Sequence, residues 1–228
     1  MYTNVNLAAP LGALTLLGTG FLLLTAGLTL GYSLLVKKSR LTKFSLITIL
    51  LVAVLYSTLL LIYSFASSEK LLARGEEKHF CELDCHLAYS LTDVREANVL
   101  GAASDQVTAT GMFRVVTIRT RFDEATIGIN RGDRLLYPNS RVVTISDESG
   151  TQYFPSATAQ ALLERSHAAG TALTIPLRPR ETYSTTLAFD LPADIRNPTL
   201  LIQEGESLTH FVIGHENSFF HKKTRFQI

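Results

Sequence analysis

The most prominent absence in this sequence of 228 residues is that of charge near its start. No Asp, Glu, Lys or Arg occurs from Met1 through Val36, and all 20 acidic residues follow Ala66. Tryptophan is missing, so the eight tyrosines and twelve phenylalanines must supply the aromatic packing. About 150 residues of ordinary soluble composition follow the apolar part, which is enough for one domain with its own core.

Signatures of catalysis and of nucleic-acid binding are also absent. We find no Ser/His/Asp arrangement, paired carboxylates, phosphate loop or zinc-protease motif, and therefore predict that the protein is not an enzyme. Four of the 21 basic residues lie in the loop 37–43, which leaves 17 against 20 acidic residues elsewhere. This balance provides no basic face for phosphate groups, so we expect no nucleic-acid partner.

Two long uncharged runs are present instead, at Leu7–Val36 and Phe44–Ala66. A helix needs about 20 apolar residues to cross a bilayer, and both runs exceed that length. The first run lacks the basic start of a signal peptide and is too long for one. The second follows basic residues and ends at Ser64-Phe65-Ala66, which resembles a cleavage site, but its apolar core is too long for a typical signal, so an uncleaved anchor is expected. The sequence predicts a transmembrane hairpin over residues 1–68, with helices at about 10–36 and 44–66.

The loop between the helices indicates their orientation. Residues 37–43 contain four cations and no anion. Short basic loops stay on the cytoplasmic side, so we expect this loop inside and both termini, with the large domain, outside. The expected location is a bacterial cytoplasmic membrane, with the lipid bilayer as partner.

Small residues form a stripe on the first predicted helix, at Gly20, Gly27 and Gly31. Small side chains let helix backbones approach closely in lipid. We expect this stripe to pack against the second helix, and dimerisation or docking on a larger membrane complex is the alternative.

The rest of the chain, residues 87–228, has mainly the pattern of β-strands. Alternation is clearest in Gly111–Phe122, where Val116, Ile118, Thr120 and Phe122 share one face. One short helix is expected at Thr158–His167. Several strands separated by turn residues predict an antiparallel β-sandwich. The remaining predicted strands are Leu87–Val94, Arg141–Ser146 with Gln152–Phe154 as a hairpin, Thr182–Leu191, Thr199–Gln203 and Leu208–Gly214.

Three stretches of this domain resemble a known family. They begin at Phe113, Val143 and Leu177, and the last contains Arg-Pro-Arg-Glu before Leu-Ala-Phe-Asp-Leu-Pro192. The pattern is similar to that of immunoglobulin-like domains of bacterial secreted and lipid-anchored proteins, over roughly Val107–Gln203. The resemblance implies an immunoglobulin-like fold and a binding or assembly role, and it carries no catalytic residue.

The linker 69–86 contains both cysteines of the chain, Cys81 and Cys85. Outside the cytoplasm such a pair usually forms a disulfide. In a strand the two Cα atoms would be about 13 Å apart, whereas a helical turn brings them within about 6 Å. We therefore predict a disulfide that closes a local turn.

A metal site is the alternative for the same segment. Cys81, Cys85, His86 and His79 offer thiolates and imidazoles, which suit copper or zinc. Subunit II of cytochrome oxidases has a similar plan and binds copper through Cys-x-Glu-x-Cys, but Leu83 stands here where that family has Glu. A covalent haem site and free thiols are lesser alternatives.

The leading functional hypothesis is a membrane-anchored binding or assembly module of the cell envelope, without a cofactor and with an envelope protein as a possible partner. The competing hypothesis is a copper-binding or electron-transfer accessory protein that uses Cys81, Cys85 and His86. In that case His210 and His215 are further candidate ligands.

Overall fold

The computed structural model describes residues 8–80, 87–102, 104–124 and 132–228. These residues form three α-helices and nine β-strands in two compact units. Residues 8–68 and 207–222 make up the first, which we call the helical unit. Residues 69–206 and 223–228 make up the second, the sandwich unit.

The helical unit contains helices α1 (Ala8–Leu35) and α2 (Ser39–Phe65). Both are long and apolar enough to cross a membrane, with mean hydropathies of 1.8 and 2.6. The less exposed positions of α1 recur every three or four residues, as expected for a helix with one packed face. The last of them, Ser33, contacts Thr42 of α2 through the two hydroxyl groups at 2.9 Å. This seam comprises Leu16, Thr19, Leu23, Ala26, Leu30 and Ser33.

The glycine stripe does not form that seam. A Cβ atom added at Gly20, Gly27 or Gly31 would meet no atom within 4 Å. Each of these glycines follows a seam residue by one position, so the glycine stripe is rotated by about 100° around the helix axis from the seam. The expectation that the stripe packs against the second helix is therefore wrong for this structure.

The sandwich unit consists of two sheets. The five-stranded sheet has the order β1-β9-β8-β5-β6, and the four-stranded sheet has the order β2-β3-β4-β7. All neighbouring strands are antiparallel except β1 and β9, which are parallel. The strands are β1 Lys70–Leu72, β2 Glu77–Phe80, β3 Leu87–Ala102, β4 Asp105–Phe122, β5 Arg141–Ser146, β6 Gln152–Tyr153, β7 Thr182–Leu191, β8 Thr199–Glu204 and β9 Thr224–Gln227.

The β-sandwich and most of its strands are confirmed. Six of the seven predicted strands coincide with β3 to β8, and the predicted helix is α3 (Ala157–Arg165), capped by the Ser156 side chain. Strands β1, β2 and β9 were not predicted. The first two lie in the segment that we interpreted as a linker.

The main core fills the space between the sheets. Tyr89, Ile118 and Phe189 enter it from the four-stranded sheet, and Ile202 and Phe226 enter it from the other. All five side chains are fully buried. The predicted alternation in β4 is confirmed, since Val116, Ile118 and Phe122 face this core. Burial of each large apolar side chain contributes roughly 1.5–3 kcal/mol.

The predicted strand over Leu208–Gly214 is wrong. A 3₁₀ turn covers Ser207–Phe211, and further turns follow it. Residues 207–222 pack in the helical unit rather than in either sheet. We refer to them as the 207–222 loop.

Candidate functional site

The candidate site lies on the outer face of the four-stranded sheet and begins with His79. Strand β3 separates β2 from β4, and in this register Ala88 lies between His79 and Arg121. Ser90 occupies the equivalent place next to Glu77. Because these two central residues are small, the long side chains on either side can reach one another across β3. Both small residues are buried beneath them.

An ion-pair network joins the two outer strands over this gap. Arg121 donates from Nε and Nη2 to the two carboxylate oxygens of Glu77, at 2.8 and 2.7 Å. Its Nη1 lies 3.3 Å from Oδ1 of Asp123. The Nη2 atom of Arg119 lies 3.8 Å from Glu77. Planar two-point pairing of this kind is the strongest geometry for an Arg–carboxylate contact.

The network changes the proton affinity of its members. The hydrogen bond from Arg121 holds the pKa of Glu77 below its ordinary value, although partial burial acts in the opposite direction. The same hydrogen bond raises the pKa of Arg121. Both groups therefore stay charged over the whole physiological range.

His79 completes the cluster through Asp123. Its Nε2 atom lies 3.0 Å from Oδ2 of Asp123 and 3.9 Å from Glu77, and the side chains of His79 and Asp123 are each 10% exposed. A neutral imidazole that donates its Nε2 proton to a carboxylate has its lone pair on Nδ1. Carboxylates orient metal-binding histidines through contacts of this kind, so Asp123 gives His79 the type of partner that accompanies a histidine ligand.

The other proposed ligands are not placed by the structure. Cys81, Cys85 and His86 lie outside the described residues, so both the disulfide and the metal site stay predictions. Within the described ranges, no group of three or more His, Cys, Asp or Glu side chains could hold a metal ion. His79 alone represents the predicted set.

His210 and His215, the further candidate ligands, both belong to the 207–222 loop. His210 donates from Nδ1 to the carbonyl oxygen of Asn217 at 2.6 Å. The Nδ1 atom of His215 accepts the backbone N–H of Asn217 at 2.9 Å. These histidines hold the loop's own turn.

A second polar cluster, which the sequence analysis missed, is buried around Phe80. Lys78 donates from Nζ to the carbonyl oxygens of Ile202 and Thr224, at 2.7 and 2.9 Å. Since Lys78 belongs to β2 and Ile202 to β8, this side chain connects the two sheets. Nothing in the sequence of β2 marks Lys78 as an inward residue, because only the register with β3 shows it.

Arg141 and Glu204 belong to the same buried cluster. They face each other on β5 and β8, with Nη1 and Oε1 3.5 Å apart and side chains 0% and 2% exposed. The Arg141 guanidinium lies 4.3 Å from the Phe80 ring centre and donates to the Tyr89 hydroxyl at 3.2 Å. Cation–π contacts of this type are stronger away from water. The cluster is part of the sandwich interior.

No protein-family model and no curated protein sequence matches the chain. Solved structures give low-scoring matches. The secreted protein MPT63 from Mycobacterium tuberculosis is 9% identical, with a TM-score of 0.42, over 72% of this chain and 100% of that chain. An uncharacterized β-sandwich protein from Clostridium difficile 630 is 10% identical, with a TM-score of 0.40, over 71% and 95%. The yjhA protein from Bacillus subtilis is 12% identical, with a TM-score of 0.40, over 68% and 98%.

Proposed function

We propose that the protein is a membrane-anchored binding or assembly module of the bacterial cell envelope, with an immunoglobulin-like domain outside the cytoplasm. The observation that carries the proposal is the exposed apolar surface of α1 and α2. Only 6% and 11% of their most apolar windows are buried. A core helix of a soluble protein would be mostly buried, and an exposed apolar surface of this extent requires a lipid or protein cover.

The lengths and charges of the helices support the same proposal. The 27 residues of α2 extend about 40 Å, which exceeds the roughly 30 Å hydrocarbon core of a bilayer. Exposed Lys37, Lys38 and Arg40 lie between or at the adjoining ends of the helices. The positive-inside rule puts this basic connection in the cytoplasm.

The binding role rests on the resemblance of the domain to immunoglobulin-like envelope domains. The outer face of the four-stranded sheet offers a polar contact surface, since Arg119 and Arg121 are partly exposed beside Glu77. Such a face suits a protein partner of complementary charge. Charged contacts of this kind would fix the orientation of the partner more than they would raise its affinity.

Reporter fusions test the anchor and its orientation. Fusions placed after Arg40 and after Ile228 should report opposite sides of the membrane, and the full chain should resist alkaline extraction. Reporters on the same side would contradict the hairpin. Release of the chain by alkali would contradict membrane anchoring altogether.

A copper-binding accessory protein is the second candidate, and one observation favours it. The Nε2 atom of His79 lies 3.0 Å from Oδ2 of Asp123, and His79 lies two residues before Cys81. The test is elemental analysis and thiol titration of the purified full chain. Stoichiometric copper that is lost in Cys81→Ser/Cys85→Ser and reduced in His79→Ala, but kept in His167→Ala, would establish this candidate. A metal-free protein with an intact disulfide would refute it.

A further inference from the structure

The 207–222 loop is attached along the outside of the helix pair. The hydroxyl of Tyr56 donates to the carbonyl oxygen of Phe211, and the rings of Phe65 and Phe220 stack with their centres 5.7 Å apart. On α1, the Ile213 carbonyl oxygen lies against Gly12, in space that a Cβ atom at this position would occupy. The loop therefore contacts both helices of its unit.

The contacts on α2 give the depth that the loop reaches. The backbone N–H of Lys222 donates to the Ser67 hydroxyl at 2.9 Å, while Phe211 is bonded to Tyr56. Tyr56 lies nine residues before Phe65, the last residue of α2, which is about 14 Å along the helix, and Ser67 lies two residues beyond that end. If a 30 Å hydrocarbon core is centred on α2, Tyr56 lies about 9 Å inside its nearer boundary.

Four large apolar side chains of the loop remain exposed. Leu208 and Phe220 are 72% and 69% exposed, and Phe211 and Phe219 are 47% and 44% exposed. Phe65, the partner of Phe220 on α2, is itself 67% exposed, so the apolar surface of the loop continues that of the helix. Glu216, an acidic residue in this loop, is half-buried.

Seven backbone N–H groups of the loop donate hydrogen bonds within the helical unit. Irregular backbone is tolerated at membrane depth only where its polar groups are satisfied by protein or by water. The side-chain amide of Asn217 also donates to the Thr209 hydroxyl, at 2.7 Å. Backbone N–H groups that donate within the unit are those of Val212, His215, Asn217, Ser218, Phe219, His221 and Lys222.

We infer that the 207–222 loop inserts into the outer leaflet of the bilayer and acts as a third lipid-binding element beside the two helices. This inference rests on the proposed membrane anchor. The occupant of its apolar face is lipid acyl chain, because the face is continuous with the exposed surface of α2. Lys222 lies beyond the end of α2, where its charge meets the phosphate groups of the lipid headgroups.

The absence of tryptophan makes this inference directly testable. Single-Trp variants of the full chain, Phe211→Trp and Phe220→Trp, are reconstituted in phosphatidylcholine/phosphatidylglycerol vesicles that contain brominated phosphatidylcholine. Phe21→Trp on α1 is the control for the membrane-spanning helices, and Phe154→Trp is the control on the sandwich unit. We expect blue-shifted emission and several-fold stronger bromine quenching for both loop variants than for Phe154→Trp.

The controls separate the two proposals. Quenching of Phe21→Trp without quenching of the loop variants would overturn lipid insertion and leave the anchor in place. Tryptophan emission from Phe21→Trp that brominated lipid does not quench would refute the anchor itself. Loop tryptophans that are shielded from both bromine and aqueous iodide would indicate a protein cover, which also overturns the inference. Phe219→Trp provides a second reporter if Phe211→Trp does not fold.

Discussion

Replacement of Glu204 by Gln removes the negative charge from a buried cluster that also contains Lys78 and Arg141. Glu204 and Arg141 are 2% and 0% exposed in their side chains, and their charged atoms are 3.5 Å apart. Gln has nearly the same size as Glu and can still accept a hydrogen bond. The substitution therefore tests the charge of this residue rather than its packing.

The magnitude follows from the distance and the burial. At 3.5 Å and an effective dielectric constant of about 20, opposite unit charges attract by about 5 kcal/mol. Desolvation offsets part of this energy while both partners are present, but the loss of one partner leaves the other charge buried. Such losses cost about 3–5 kcal/mol. We expect Glu204→Gln to destabilise the sandwich by about 3 kcal/mol. This value is at the lower end of the range because the amide oxygen of Gln can still accept a hydrogen bond.

Hydrogen exchange of the β5 and β8 amides in the full chain, held in lipid nanodiscs, measures this loss. A decrease of about 3 kcal/mol in the opening free energy accelerates exchange about a hundredfold. Glu206→Gln is the matched control, because this exposed residue lies two positions further along and should change stability by less than about 0.5 kcal/mol. Arg141→Met/Glu204→Leu should restore most of the loss, since an apolar pair can replace a buried ion pair. Equal exchange rates in Glu204→Gln and Glu206→Gln would refute this reasoning.

Two further substitutions probe the loop and the outer face of the sheet. A side chain at Gly12 would collide with the Ile213 carbonyl, so Gly12→Val should displace the 207–222 loop and increase its cleavage by trypsin. Gly20→Val is the control, because the space around Gly20 is open. Equal cleavage of the two variants would contradict the docked position of the loop. The lowered pKa of Glu77 means that its stabilising pairing with Arg121 is fully present above pH 4.5, its ordinary pKa, and is lost as the pH falls through the lowered value. The difference in melting temperature between wild type and Glu77→Gln should therefore shrink below pH 4.5, and a constant difference would argue against the pairing.

The two apolar helices and most strands could be predicted because each depends on a local property of the sequence. The absence of charge over a run of spanning length predicts α1 and α2 without any tertiary information. The alternation in β4 is equally local, since Val116, Ile118 and Phe122 face the core and Arg119 and Arg121 face outward. The seam between the helices was less predictable, because the glycine stripe and the true seam differ by one residue.

The polar clusters could not be predicted, because they depend on register. Lys78 sits at an inward position of β2, next to Phe80 on the same face, and so breaks the alternation that would mark a strand. Glu77 and Arg121 are far apart in sequence and meet only because Ala88 and Ser90 of β3 are small. No pattern within β2 alone carries this information.

The misassigned strand at Leu208–Gly214 has a more general cause. Its sequence, Leu-Thr-His-Phe-Val-Ile-Gly, combines apolar and β-branched residues, which predicts a strand when a sheet is the only apolar environment that the chain offers. Here the helix pair offers a second one. Strands β8 and β9 already pair with each other, with Leu200 opposite Phe226, so the loop between them has no free position in the ladder. Its apolar side chains then contact α1 and α2 or remain exposed beside them, as an element that partitions into lipid would. Hydrophobic periodicity reports that a segment avoids water, but it does not report whether protein or lipid replaces that water.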